Sequence, residues 1–309
     1  MNAPAATVEG SSALPAATRA AKSSRGRWTL IALLAPGVIW LGLFVLVPLG
    51  FTVAMSLWKS NIFGTTPDFQ FGNYRDALLT PLYRDLLLKT LRIALVTTLL
   101  SLVLSYPVAY CLAMLGGRRK ALLLLLLFLP FWTSYVVRTF AWLPILGRTG
   151  AINQFLLAIG VIDQPLPWLL YNEGAIYLGL VYVYTLFMTL PIYLSIEKID
   201  PRLLEAAADL GARPRAVFLT VILPLSWPGV LSGCLMVFLL AASAYVTPQL
   251  LGGASGIMFS NMIAAQFLSN NNWALGAALS IILSGVVLLI LVGAGRWIGI
   301  QQVFTGGRG

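Results

Sequence analysis

The chain has 309 residues, 59% hydrophobic and 10% charged, with a net charge of +10, whereas an ordinary soluble domain carries about 25% charged residues; a water-covered globule, and with it a soluble enzyme, is excluded. Histidine is absent, which removes Ser-His-Asp and Cys-His nucleophiles, His-ligated metals and His proton relays together. Cys111 and Cys234 each stand inside apolar runs, where they read as small core residues, so neither a disulfide framework nor a cysteine-ligated metal is expected.

Residues 1–28 are rich in Ala and Ser and carry Arg19, Lys22, Arg25 and Arg27; with too little apolar content to fold alone, they read as a disordered basic cytoplasmic tail. Trp28–Trp58 is then uncharged for 31 residues, against about 7–15 in a cleaved signal core, so this first apolar segment is a retained anchor. Six stretches reach the roughly 20 apolar residues that a bilayer core requires. They are Thr29–Leu57, Leu91–Leu115, Ala121–Leu146, Gly174–Ile196, Trp227–Thr247 and Ala274–Ile298. The second has Arg92 at its edge and the third contains Arg138. No Asp or Glu lies inside any of the six. The fold class is therefore an all-α integral membrane domain of six transmembrane helices over residues 29–299, followed by a short cytoplasmic tail, 300–309.

Basic residues are retained on the cytoplasmic side of short loops. With both termini inside, the cytoplasmic segments hold 13 of the 20 Lys and Arg residues. The charge is a topology signal, and nucleic-acid binding is not expected. Outside, the long segments Lys59–Thr90 and Gly147–Glu173 have two readings: a docking surface for an extracytoplasmic component, or a partly helical cap tying neighbouring helices together. Within the fifth loop, Ile257, Met258, Met262, Ile263 and Phe267 recur at helical spacing, which predicts a short interfacial helix over Ile257–Asn270. Pro107, Pro130 and Pro191 interrupt three spans and are either hinges or static kinks.

The cytoplasmic loop 197–225 is the most legible segment. Asp200 is placed to cap a helix beginning at Pro201, which has no amide proton to leave unsatisfied. Gly211 supplies the left-handed turn that stops this helix. Arg202, Glu205 and Asp209 share one face; Leu203, Ala207 and Leu210 share another. Pro214 begins a second short helix through Leu223, which Pro224 and Pro228 are expected to break before the fifth span.

In this loop Glu205-Ala206-Ala207, Gly211, Val221 and Leu223-Pro224 stand at the spacing of the hallmark of the integral-membrane subunit of binding-protein-dependent ABC importers, which the chain resembles. The resemblance implies a MetI-like permease fold in a bacterial inner membrane, with this loop as the coupling element that seats in a groove of a cytosolic ATPase. It also implies the partners: a second permease subunit in a heterodimer, two ATP-binding subunits and a periplasmic substrate-binding protein, all around the lipid bilayer. No segment matches the P-loop pattern G-x-x-x-x-G-K-[ST], so ATP and Mg are expected on the partner ATPases and no cofactor or catalytic residue on this chain.

Phe131-Trp132-Thr133-Ser134-Tyr135, Arg138-Thr139-Phe140-Ala141-Trp142 and Tyr245-Val246-Thr247-Pro248-Gln249-Leu250-Leu251-Gly252-Gly253 are similar to the B-type permease of spermidine/putrescine importers, and related systems for opines and other small amines share them. Trp132, Tyr135, Tyr184 and Tyr245 either line a path, offering ring faces to an ammonium group, or form an aromatic belt at the headgroups. Thr247 belongs to the same candidate path. Arg138 has two readings as well: a functional interior charge, or a structural one reaching the interface or capping a broken helix. Some polyamine permeases carry an acid where this chain has Ala244, so buried carboxylates must come from the partner permease, be replaced by aromatic and polar groups, or not be needed by the substrate. A secondary carrier and an intramembrane enzyme are the rivals; the spans lack the carboxylates and His that either chemistry ordinarily uses.

Overall fold

The computed structural model describes residues 17–61 and 64–305. It divides into two compact units at Ala54/Met55. The first is the body of α1 (Ala17–Ser56), an apolar helix with Pro36 and Pro48 inside it. Its helix begins within the stretch assigned to the basic tail; residues 1–16 of that tail, and 306–309 of the C-terminal tail, lie outside the described residues.

The second unit opens with a two-stranded antiparallel ribbon, β1 (Lys59–Asn61) and β2 (Gly64–Thr66), in the register Lys59↔Thr66. Helices α2 (Gly72–Leu79), α3 (Pro81–Met114), α4 (Gly117–Phe128), α5 (Tyr135–Phe140), α6 (Leu143–Leu146) and α7 (Ala151–Ala158) follow. Then come α8 (Glu173–Glu197), α9 (Pro201–Asp209), α10 (Pro214–Val217), α11 (Leu223–Ala242), α12 (Val246–Leu251), α13 (Phe259–Leu268) and α14 (Trp273–Thr305). Five of the described helices are long and apolar enough to cross a membrane. A bent pair, Gly117–Trp132 with Tyr135–Ala158, turning through 92°, meets the same length and apolarity together.

Three sequence expectations are corrected here. The third span is not one helix: after the 3-10 turn Leu129–Trp132, which contains Pro130, the chain turns at Thr133–Ser134, so Arg138 sits beyond the elbow. The fifth span ends at Ala242, and Tyr245 and Thr247 lie past it. Pro224 and Pro228 break nothing, because the apolar helix runs on from Pro214 to Ala242. A π-helical turn, Phe218–Ile222, ends two residues before Pro224 and contains its i−4 residue, Thr220; a wider turn makes room for the proline ring, which would clash with the i−4 carbonyl of an ordinary helix. In addition, α3 starts ten residues before Leu91, at a Thr80-Pro81 start signal. Its 34 residues are about 50 Å long, more than a bilayer core needs.

The core is the triad α3–α8–α11, with Ile93, Ile176, Leu180, Met188, Ile192 and Val237 fully buried. Small residues let the backbones approach: a Cβ on Gly229 of α11 would overlap the Pro191 carbonyl and Ser195 of α8, and one on Gly233 would come 2.8 Å from the Met188 sulfur. This is the Gly-x-x-x-Gly device of membrane helix packing, in which close contact replaces the hydrophobic drive that lipid cannot supply. Polar cross-links add to it, among them Ser105 Oγ donating to the Thr185 carbonyl at 3.1 Å.

Candidate functional site

Helix α9 is built by local chemistry. The Asp200 carboxylate accepts from the Arg202 amide at 2.9 Å and Pro201 occupies the first helical position. At the other end the Gly211 amide donates to the Ala208 carbonyl at 2.9 Å, and the Ala212 amide to the Ala207 carbonyl at 3.1 Å. That bond pair is a Schellman stop, which needs a left-handed residue after the cap. Gly211 has φ +80°, and a Cβ on it would meet no atom within 4 Å. Glu205 and Ala206 are exposed and Ala207 half-buried. Leu210 is 89% exposed and Leu203 49%, whereas Leu204 packs against the core. An apolar, small-residue face is thus presented to the surroundings.

The second half of the motif is elsewhere. Val221 lies in the π turn, and Leu223 and Pro224 open α11. The structure therefore separates the two halves into an exposed helix and the root of a spanning helix. Sequence reasoning missed the groups that hold this root. Phe218 stands edge-on to Tyr106 and to Tyr110 of α3, each at 5.7 Å. Ser226 Oγ donates to the Leu223 carbonyl, so Tyr106 Oη is the donor in its 2.9 Å bond to Ser226. Separately, Lys120 at the start of α4 pairs with Glu197 at the end of α8 and lies 5.2 Å from the Tyr193 ring centroid. Phe218 and the i, i+4 pair of Tyr106 and Tyr110 were the available signals, but nothing in a single chain says that they meet.

Toward the opposite end, the two helix breaks meet. Tyr135, first residue of α5, and Thr247, in the first turn of α12, share a hydrogen bond of 2.6 Å between their hydroxyls. Thr247 is fully buried and sits over Gly179 of α8, where a Cβ would come within 2.7 Å of its methyl. Tyr184 is buried beside Tyr135 and donates to the Leu240 carbonyl at 3.1 Å. Tyr245 is 38% exposed and Trp132 78% exposed. Of the candidate path residues, Tyr135, Tyr184 and Thr247 are thus gathered together, and Trp132 is not among their described partners. The Arg138 guanidinium carbon lies 4.5 Å from the Phe131 ring centroid, across the elbow. Phe131 in turn is edge-on to Phe187 at 5.5 Å, and Phe187 to Tyr184 at 6.4 Å.

Two further polar groups were not anticipated. Asn261 of α13 donates to the Tyr245 carbonyl at 3.0 Å and to Gln249 Oε1 at 3.1 Å, while its own Oδ1 accepts from the Met258 amide. The helix expected in the fifth loop is present, but its buried residues include Asn261 and Gln266; Asn261 satisfies backbone freed at the break after α11. Glu173, first residue of α8, takes two bonds of 2.7 Å from Arg92 and lies 3.8 Å from Lys89; Lys89 also donates to the Ser255 carbonyl. This ion cluster pins α3, α8 and the loop after α12 at their outer ends. Among the described residues no group of His, Cys, Asp and Glu is arranged to hold a metal.

The chain belongs to the family of binding-protein-dependent transport system inner membrane components, whose model matches residues 101–296. It is 42% identical to the spermidine/putrescine transport system permease protein PotB of Escherichia coli (strain K12) over 254 residues, covering 82% of this chain and 92% of that protein. Identity to the Haemophilus influenzae protein of the same name is 38%, covering 82% of this chain and 88% of the other. Among solved structures, a bacterial ABC transporter involved in the import of the acidic polysaccharide alginate matches with a TM-score of 0.72 at 18% identity, over 90% of this chain and 98% of that one. The last likeness establishes the permease fold. The chain is a multi-pass permease component of an ABC import system, with the transport role of its relatives.

Proposed function

We propose that this chain is the permease subunit through which an ABC importer moves a polyamine of the spermidine/putrescine class into the cell. The observation that carries the reading is the 42% identity across nearly the whole of a spermidine/putrescine permease. Two copies of an ATPase, holding ATP and Mg, dock on the coupling loops of this chain and of a second permease, and a periplasmic binding protein delivers substrate outside. The basic N-terminal tail, the six-span domain of residues 29–299 with its loop 197–225, and the short C-terminal tail belong to this reading. Glu205, Ala206, Ala207 and Gly211 form the docking element; Val221, Leu223 and Pro224 form the root that receives its displacement.

The mechanics favour such a role. The apolar helix from Pro214 to Ala242 is unbroken over 29 residues, about 43 Å. A push or pull at the loop is therefore delivered at the elbow carrying Tyr245 and Thr247. Rocking of packed helices around a path is a standard form of switching. Trp132, Tyr135, Arg138, Tyr184, Tyr245 and Thr247 serve this path, the buried Tyr184 and Thr247 as support for Tyr135 and the more exposed Trp132 and Tyr245 as its surface. With no carboxylate in its six apolar stretches, the chain meets the amine through ring faces and neutral oxygens, and the partner permease supplies the acids. The same absence favours a second reading, an opine or another small amine as cargo. The deciding experiment is uptake of labelled putrescine and spermidine in cells without their own polyamine importers, expressing this chain with its operon partners. Saturable, ATP-dependent uptake that disappears with this chain is expected. A complex that assembles and hydrolyses ATP without uptake would overturn the polyamine assignment.

A further inference from the structure

Arg138 carries a full charge next to the elbow of the third span, and its surroundings are unusual. Its Nε is buried with no hydrogen-bond partner, and none of the ion pairs among the described residues includes it. A charge at membrane depth is costly unless water or a counter-group reaches it. What the guanidinium does have is the face of Phe131 at 4.5 Å. An aromatic face attracts cations through its quadrupole, most strongly where water is scarce. Behind Phe131 the row continues through Phe187 to Tyr184, and Tyr184 adjoins Tyr135, whose hydroxyl is bonded to that of Thr247. The row thus links an aromatic cation seat to a group of neutral oxygen acceptors.

We propose that the Phe131 face is an ammonium-binding site of the translocation path and that Arg138 fills it as a tethered substitute while no substrate is there. The proposal rests on the amine reading above and adds a site and a competitor to it. A substrate ammonium has to displace the guanidinium from one ring face, so the chain's own cation lowers the apparent affinity and returns to the face when substrate leaves. Such a site retains cargo weakly, which suits a path that must release it.

The test is the concentration dependence of putrescine uptake by the complete transporter in cells without other polyamine importers, with membrane abundance followed in parallel. R138Q is expected to lower the KM about three- to tenfold, the range a single cation–π contact commands. R138K, which keeps a tethered cation, is expected to hold the wild-type KM, and the double variant R138Q/F131L to lose the gain. R138M, which keeps the apolar length, gives the same readout if R138Q does not reach the membrane. A merely structural arginine at the elbow predicts lower abundance and no fall in KM. An unchanged or raised KM in R138Q and R138M, or a gain that survives removal of Phe131, overturns the proposal while leaving polyamine transport by the wild type intact. A wild-type complex that takes up no amine overturns both readings.

Discussion

In the helix triad, Gly229 of α11 faces the Pro191 carbonyl and Ser195 of α8 with no room for a Cβ, while at the end of α9 Gly211 has open space around it and a φ of +80°. One glycine is required by its neighbours and the other by its own backbone. The difference extends to the regions around them. Along the triad, small and hydroxyl residues are used against other helices, as in the Tyr106–Ser226 and Ser105–Thr185 bonds. In α9 the caps are satisfied within a few residues, and the outward faces of Leu203, Glu205, Ala206 and Leu210 are left exposed. Because α9 completes its terminal hydrogen bonds locally and is seated on the core through Leu204, its other faces stay free, as the proposed docking role requires.

That contrast is broken most severely at Gly229. G229L is expected to prevent the triad from closing, leaving little assembled protein in detergent extracts by size-exclusion chromatography, because overpacking here meets backbone and not a flexible side-chain tip. Membrane levels equal to wild type would show that the close approach is not required. G211V comes next: the left-handed conformation costs a non-glycine residue about 1–2 kcal/mol, so insertion should persist while co-purification of the ATPase and transport both fall. Wild-type transport would sink the coupling role of this turn. Y106F removes the shared hydroxyl bond and S226A removes that bond together with the one to the Leu223 carbonyl, each worth about 1 kcal/mol; thermal unfolding should shift down modestly for both, and the double variant should be no worse than the sum less the shared bond. The smallest effect is expected for E197Q, whose ion pair with Lys120 is partly exposed; pairs open to solvent contribute little and are screened by salt, so unfolding midpoints in low and high salt should be nearly those of wild type.

Much of the candidate site was legible before the fold was known, and the two regions explain why. The Asp200-Pro201 start and the Gly211 stop of α9 were readable because capping depends on neighbours three or four residues away. The six apolar stretches were readable because a bilayer imposes one length and one polarity on each. The elbow at Thr133–Ser134 was not, since an apolar run has the same hydropathy whether straight or bent. Nor was the effect of Pro224, which depends on a π turn that hydropathy does not register. Asn261 and Gln266, polar residues within the helix expected at the interface, are buried; the Tyr245 carbonyl and Gln249 side chain that Asn261 serves lie beyond the end of α11, at a break that composition does not mark.

By itself, then, the amino-acid sequence determined the membrane class, the apolar segments and the shape of α9, all consequences of local chemistry or of a solvent that constrains every segment alike. Tertiary structure alone decided which glycines admit a neighbouring helix, that Phe218 is clasped by Tyr106 and Tyr110, that Tyr135 meets Thr247, and that Arg138 rests on Phe131. Three of these four join residues far apart in the chain, and the fourth crosses a bend; such contacts are set by how the helices pack, which no single segment encodes.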